Sequence, residues 1–189
     1  PPRSTLFPYT TLFRSGTGLV SIENGGTLGG AGFIVSTKTT VESGGNISPG
    51  NPGVDSGVGT LTFTGDLETK TGSTWLIDIV QNENGKSDRV AVSGVLTIAG
   101  SILDLNFAET FTNGHVYTIA SYGSLVGEFD GWAQDAVISN YRIDYGSGPN
   151  GIITLTAVPE PETVWALLLA LLALYGAHSY RRQRELQSL

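Results

Sequence analysis

The 189-residue sequence predicts an all-β chain: a short right-handed parallel β-helix with a C-terminal β-hairpin cap, followed by a single hydrophobic helix. Three observations predict it. Glycine is spread through a body rich in Thr, Ser, Val, Ile and Leu, a short motif returns at intervals suited to one coil of a solenoid, and an uncharged Leu/Ala-rich run precedes the C-terminus.

The 26 glycines, set among β-branched and hydroxyl residues, favour many short strands joined by tight turns. The returning motif is clearest in "IENGGTLGG" from Ile22 and "VESGGNISPG" from Val41, an offset of 19 residues, with looser echoes in "LETKTGSTW" from Leu67 and "LTIAGSIL" from Leu96. Gly26, Gly45, Gly72 and Gly100 are then spaced by 19, 27 and 28 residues. Such spacings suit coils that each turn once and stack on the last. Glycine at each corner would supply positive φ or a close backbone approach. An antiparallel sandwich with glycine-rich turns is the competing fold.

Alternation supports strands along the body. Leu61, Phe63 and Leu67 fall on one face, as do Val90 and Val92, Leu103, Leu105 and Phe107, and Ile153 and Leu155. Thr62, Thr64, Asp88, Asp104 and Asn106 are assigned to the opposite, water-facing sides. We place the solenoid repeats at 16–112. From Asn113 the texture becomes more aromatic, and "GSGPNG" is a turn signal between "YRIDY" and "IITLT". An exposed last coil would template edge-to-edge association, so 113–157 is read as a β-rich cap over it.

Both ends need separate treatment. Read back into codons, Pro1–Ser15 resembles one frame of a common short-read sequencing adapter across all fifteen residues, and 1–15 is set aside as non-native. The sequence contains no methionine, and we read it as a C-terminal fragment whose native start lies upstream of Gly16. At the other end, Val164–Ala177 is free of charge and would span roughly 21 Å as a helix, or roughly 26 Å if continued to Tyr180. A bilayer core needs about 30 Å, so a transmembrane helix at about 164–180 would be marginal. Trp165 and Tyr180 flank it as interfacial aromatics. The positive-inside rule puts Arg181, Arg182 and Arg184 in the cytoplasm and the acidic body outside it.

Two resemblances follow from these residues. The body, through "GGTLGGAG", "VESGGNISPG" and the closing "YTIASYGSLVGEF" and "YRIDYGSGPNGIITL", is similar to passenger regions of autotransporter-associated β-strand repeat proteins. That likeness implies a secreted β-helix with an adhesive or structural role. The tail, 158–189, resembles a PEP-CTERM sorting signal: Val158, Pro159, Glu160 and Pro161 match its box, Val164–Ala177 its hydrophobic stretch, and Arg181, Arg182 and Arg184 its basic end. The resemblance implies a processing partner, an exosortase, and hence a transient stay in the inner membrane before the protein reaches the cell envelope, cell surface or extracellular matrix. Exopolysaccharide is the further partner it suggests. A permanently anchored membrane protein is the reading in which the tail is kept.

Charge and chemistry narrow the function. Between Gly16 and Ala157 there are 14 acidic and 5 basic residues, which argues against nucleic acid as a partner. With no cysteine, disulfides and thiolate metal sites are excluded. No catalytic residue, cofactor or metal ligand is assigned. Asp78, Asp104 and Asp144 each lie between apolar neighbours on predicted strands, and Asp78 with Asp104 could line up on one face for acid and base work. Like charges stacked directly would repel, and outward aspartates commonly keep a sheet soluble. His115 reads as a surface-loop residue in "TNGHVY" and His178 as interfacial. The glycine-rich "GTGLVSIENGG" lacks the helix and lysine of a phosphate loop. "GNPGVDSGVG" lacks the repeated aspartates of calcium-binding coils. The expected function is a structural or adhesive cell-surface β-repeat protein rather than an enzyme. The alternative is a carbohydrate-active β-helix enzyme, a polysaccharide lyase or glycosidase, whose catalytic coils lie mostly upstream.

Overall fold

The structure is a computed structural model that describes residues 18–51, 55–107 and 112–158, together with 169, 172, 173 and 175. The chain divides into two units, Pro1–Ala157 and Val158–Leu189, and among the described residues every strand lies in the first.

That unit is all-β, and its strands wind through a β-solenoid of about three turns. One stack of parallel strands contains β1 (Leu19–Ile22), β4 (Lys38–Val41), β7 (Asp66–Thr69) and the second half of β9 (Arg89–Thr97). A second contains β2 (Thr27–Gly30), β5 (Asn46–Pro49), β8 (Thr74–Ile79) and β10 (Ile102–Phe107). The third is β3 (Gly32–Ile34), β6 (Thr60–Phe63) and the first half of β9. Strand β11 (Val116–Val126) lies parallel on both halves of β9, so it continues the first and third stacks together. On its other side it pairs antiparallel with β14 (Ile152–Ala157). Strand β13 (Tyr141–Asp144) follows antiparallel on β14, and β12 (Val137–Ile138) antiparallel on β13.

Two glycine columns set the path of each coil. Gly25, Gly44, Gly72 and Gly100 have φ of 77, 76, 79 and 75°, a left-handed conformation costly for any side chain with a Cβ. Each N–H donates to the carbonyl of the next coil: Gly25 to Gly44 at 2.8 Å, Gly44 to Gly72 at 2.9 Å and Gly72 to Gly100 at 3.1 Å. The expected column therefore needs a correction: its first two members are Gly25 and Gly44, not Gly26 and Gly45. A Gly-Gly pair offers two alignments, whereas the later coils carry Gly72-Ser73 and Gly100-Ser101, and hydrogen bonding picks the first glycine of each pair. The second column, Gly65, Gly94 and Gly123, marks the corner where the third stack turns into the first. Here the constraint is space. A Cβ on Gly65 would overlap the carbonyl oxygens of Ser36 and Thr37, one on Gly94 the Asp66 carboxylate, and one on Gly123 the Ser93 carbonyl oxygen.

Side chains of like position stack in columns inside. Thr39, Leu67 and Leu96 superpose in register, as do Ile47, Trp75 and Leu103, and Ile34, Phe63 and Val92; all are buried. A fully buried aliphatic or aromatic side chain contributes about 1.5–3 kcal/mol relative to exposure, so each column is a continuous source of stability. Hydroxyls inside the column are satisfied: Thr69 and Ser101 share a 2.6 Å hydrogen bond, and Ser36 and Thr39 one of 2.9 Å. Past the last coil, Phe129 and Trp132 are buried, with Phe129 edge-on to Trp75 at 5.1 Å between ring centroids.

Candidate functional site

One corner is held by glycine in every coil and a second from Gly65 onward, and the third carries inserted loops. Between the second and third stacks the link is Ala31 alone in the first coil, then 50–59, then 80–88, then 108–115. Loops on a rigid scaffold are where ligand-binding groups gather, and in repeat folds insertions tend to lie on one face. Among the buried polar side chains, Gln81 and Asp88 lie along this corner.

Asp88 is the central one. It is 1% exposed, at the end of loop 80–88 just before β9. Its Oδ1 accepts the Gly59 N–H at 2.8 Å and its Oδ2 the Asp78 N–H at 3.0 Å, while its own N–H donates to the Asp78 carbonyl at 2.8 Å. One carboxylate thus ties the loop of one coil to the loop and strand of the next. Burial pushes its pKa up to about 7, against the opposing pull of the two backbone N–H groups. The expected water-facing position for Asp88 is overturned, for a reason visible in the alternation itself. Residues 88, 90 and 92 share parity, so Asp88 lies on the same inward side as the buried Val90 and Val92.

Asp78 is half-buried and faces outward from β8, where its Oδ1 accepts the Asn106 Nδ2–H at 2.8 Å. Asp104 is exposed on the neighbouring strand β10 but stands opposite Leu76, while Asn106 stands opposite Asp78. The two aspartates share a face, diagonally and two residues out of step. Asp144 is exposed on β13, its pKa lowered first by the Gly146 N–H, then by the Gln134 side-chain amide. These three carboxylates do not converge.

A second group of polar side chains lies at the upper end of the same corner. The Gln81 side chain, in loop 80–88, donates to the Tyr141 hydroxyl at 2.9 Å, and the Tyr117 hydroxyl donates to the Gln81 carbonyl at 2.9 Å. Burial pushes the Tyr117 phenol up to about 12 and raises that of Tyr141. Phe107 stacks on Tyr141 at 5.1 Å and 9° between planes. His115 is half-buried rather than a plain surface residue: its Nδ1 lies 3.1 Å from the Gln81 carbonyl and its ring packs edge-on to Tyr117. Neither Gln81 nor Tyr145 was singled out by sequence. Tyr145 accepts the Phe129 N–H and donates to the Trp132 carbonyl at 2.6 Å. Its partners lie 13 and 16 residues away, beyond any local pattern.

Chemically, the corner joins coils. Both carboxylate oxygens of Asp88 are occupied by backbone donors in a buried setting, and the phenols serve as hydrogen-bond struts. Among the described residues no group of three or more His, Cys, Asp or Glu could hold a metal ion. Of the sorting-motif residues, Val158 is half-buried; Pro159, Glu160 and Pro161, the basic Arg181, Arg182 and Arg184, and most of the hydrophobic stretch lie outside the described residues. Among the described residues no helix is long and apolar enough to cross a membrane.

The fold and this corner define the class: a β-solenoid protein with loops gathered at one corner. No family model matches the sequence, and no curated protein matches it.

Proposed function

We propose that the chain is a secreted bacterial cell-surface or extracellular-matrix protein of the β-repeat type, structural or adhesive in role, exported and sorted through its C-terminal tail. The observation that carries the body's role is that its special polar side chains, Asp88, Gln81, Tyr117, Tyr141 and Tyr145, are engaged in bonds between coils and loops. A right-handed parallel column with the Trp132, Tyr141 and Tyr145 region closing one end acts passively: it displays an acidic outer face and resists proteolysis. The tail supplies delivery. In this reading Pro159 and Pro161, which lack a backbone donor, would keep the box extended, the uncharged run Val164–Ala177 would enter the membrane, and Arg181, Arg182 and Arg184 would hold its end in the cytoplasm until an exosortase processes it. Exopolysaccharide is the surface partner in this reading.

Intact-mass measurement of the protein from its native host tests the sorting half. The expected mature form lacks Arg181–Leu189, and a mature form still ending in "RELQSL" would establish a permanent anchor instead. Incubation with acidic polysaccharides tests the other half. Binding or retention without chain cleavage is expected; depolymerisation would establish the carbohydrate-active enzyme instead.

A further inference from the structure

Of the five cations between Gly16 and Ala157, three are already paired: Lys38 and Lys70 with Glu68, and Lys86 with Glu83. Arg89 and Arg142 differ, for neither guanidinium has a hydrogen bond or ion pair among the described residues. Arg89 is half-buried, with its Nε sealed off and unpartnered. The group therefore ties nothing in the fold, and the N–H donors on its two Nη atoms remain for a partner. Arg142 is exposed, and Asp144, two residues along β13, acts on it only through space; the Asp144 Oδ1 is held by the Gly146 N–H and the Gln134 amide. Both arginines rise from the outward side of the sheet that runs from the third stack into the cap. Thr60 stands opposite Arg89, and Thr62 opposite Ala91, which in turn stands opposite Ser121. Further along, Thr118 is opposite Thr154 and Thr156 is opposite Arg142. All of these side chains are half-buried or exposed. Arg142 lies three strands on from Arg89, which is roughly 14 Å across the sheet.

We infer that this hydroxyl-lined face is the docking surface for a carboxylated polysaccharide laid across the strands from Thr60 and Arg89 to Arg142, an inference that rests on the reading of exopolysaccharide as the partner. Charge complementarity selects the occupant. A guanidinium donates two parallel N–H bonds to one carboxylate, and on this acidic body the unpaired arginines are the groups able to do so. The rows of threonine between them suit the rest of the polymer. Hydroxyls both donate and accept, as those of a sugar do. Proportion matters as well, since hydroxyls outnumber cations on this face and the matching polymer carries more hydroxyls than charges. A nucleic acid presents a phosphate at every unit and calls for a denser row of cations.

The experiment titrates alginate oligosaccharides into the full chain in detergent, with dextran as the neutral polysaccharide and a DNA oligonucleotide as the dense polyanion. Alginate should bind, more weakly as salt is raised. Arg89→Gln and Arg142→Gln should each raise Kd about tenfold or more, through loss of a charge-assisted pair. Thr154→Val, close in shape and lacking only the hydroxyl, should raise it about threefold. Lys70→Gln makes the same change in net charge beside the first stack and should leave Kd unchanged. Circular dichroism of every variant should match that of the parent. An equal loss in Lys70→Gln would overturn the proposal by reducing the effect to overall charge. Dextran bound as tightly as alginate would overturn it too, as would DNA bound more tightly. Alginate binding that survives both arginine substitutions would keep the polysaccharide partner but place it on another surface. Failure of alginate and dextran alike to bind would remove the face and the exopolysaccharide partner together.

Discussion

Replacing Asp88 by asparagine should change not only how stable the solenoid is but how its stability depends on pH. In the folded chain the carboxyl's pKa rises from 3.8 to about 7 because it is buried. A raised carboxyl binds its proton more tightly folded than unfolded. Its contribution is fully present below about pH 4, falls as pH rises, and is lost once pH passes about 7. Across pH 5 to 8 the protein should therefore lose at most about 2.5 kcal/mol from this group alone. The lowered carboxyls, Glu68 and Asp144, work in the opposite direction, but their stabilisation is lost only as pH falls below the ordinary carboxylate range. They leave the window above pH 5 to Asp88. Below about pH 7 the folded parent's carboxyl is protonated and, like an Asp88→Asn amide, presents one full acceptor to the two N–H groups of Gly59 and Asp78. Urea unfolding midpoints at pH 5 and pH 8 test this. The variant should be close to the parent at pH 5, more stable than it at pH 8 by up to about 2.5 kcal/mol, and flat between. A parent midpoint that does not fall from pH 5 to pH 8, or a variant that keeps the parent's slope, would refute the reasoning.

Three further outcomes follow from particular contacts. Gly94→Ala should destabilise by about 1–3 kcal/mol, because its Cβ would meet the Asp66 carboxylate that caps the Val95 N–H; chemical denaturation measures it. Tyr145→Phe leaves the Phe129 N–H and Trp132 carbonyl without their partner, and should cost about 1–3 kcal/mol and loosen Trp132, seen as a shift in tryptophan emission. Glu68→Gln removes the ion pairs to Lys38 and Lys70, each at 2.5 Å, yet should change stability by less than about 1 kcal/mol because the lysines are largely solvated; salt titration of the midpoint provides the check.

Much of the body was readable because a solenoid writes its period into the sequence. Ile22 and Val41 do lie opposite each other, and so do Leu67 and Leu96, the starting residues of the matched motifs. What blurred the reading was local degeneracy. Gly25-Gly26 and Gly44-Gly45 allow two alignments, and only the inter-coil hydrogen bonds choose. Asp88 was misplaced because a charged residue suggests water, although its spacing from Val90 and Val92 put it inside. The second glycine column, Gly65, Gly94 and Gly123, runs at a regular offset of 29 yet has no shared motif around it. Its constraint is steric, set by the coil beneath through the backbone at Gly65 and Gly123 and the Asp66 carboxylate at Gly94, and no local pattern marks it.

These two columns also bear on where the longer loops lie. A coil whose corners are fixed by Gly25, Gly44, Gly72 and Gly100 on one side, and by Gly65, Gly94 and Gly123 on another, tolerates few insertions there, since added atoms would strike the neighbouring coil. At the third corner the link between strands lengthens from the single Ala31 to the ten residues of 50–59, although Gly50 there is itself tightly enclosed, the position of a Cβ meeting the Gly57 carbonyl oxygen and the Asp88 carboxylate. Loops at this corner are held to the strands by ties. Asp88 provides one between coils, and Gln81 with Tyr117 and Tyr141 provides another. The same freedom makes this corner the place where a solenoid of this kind can gain a binding surface without altering its column.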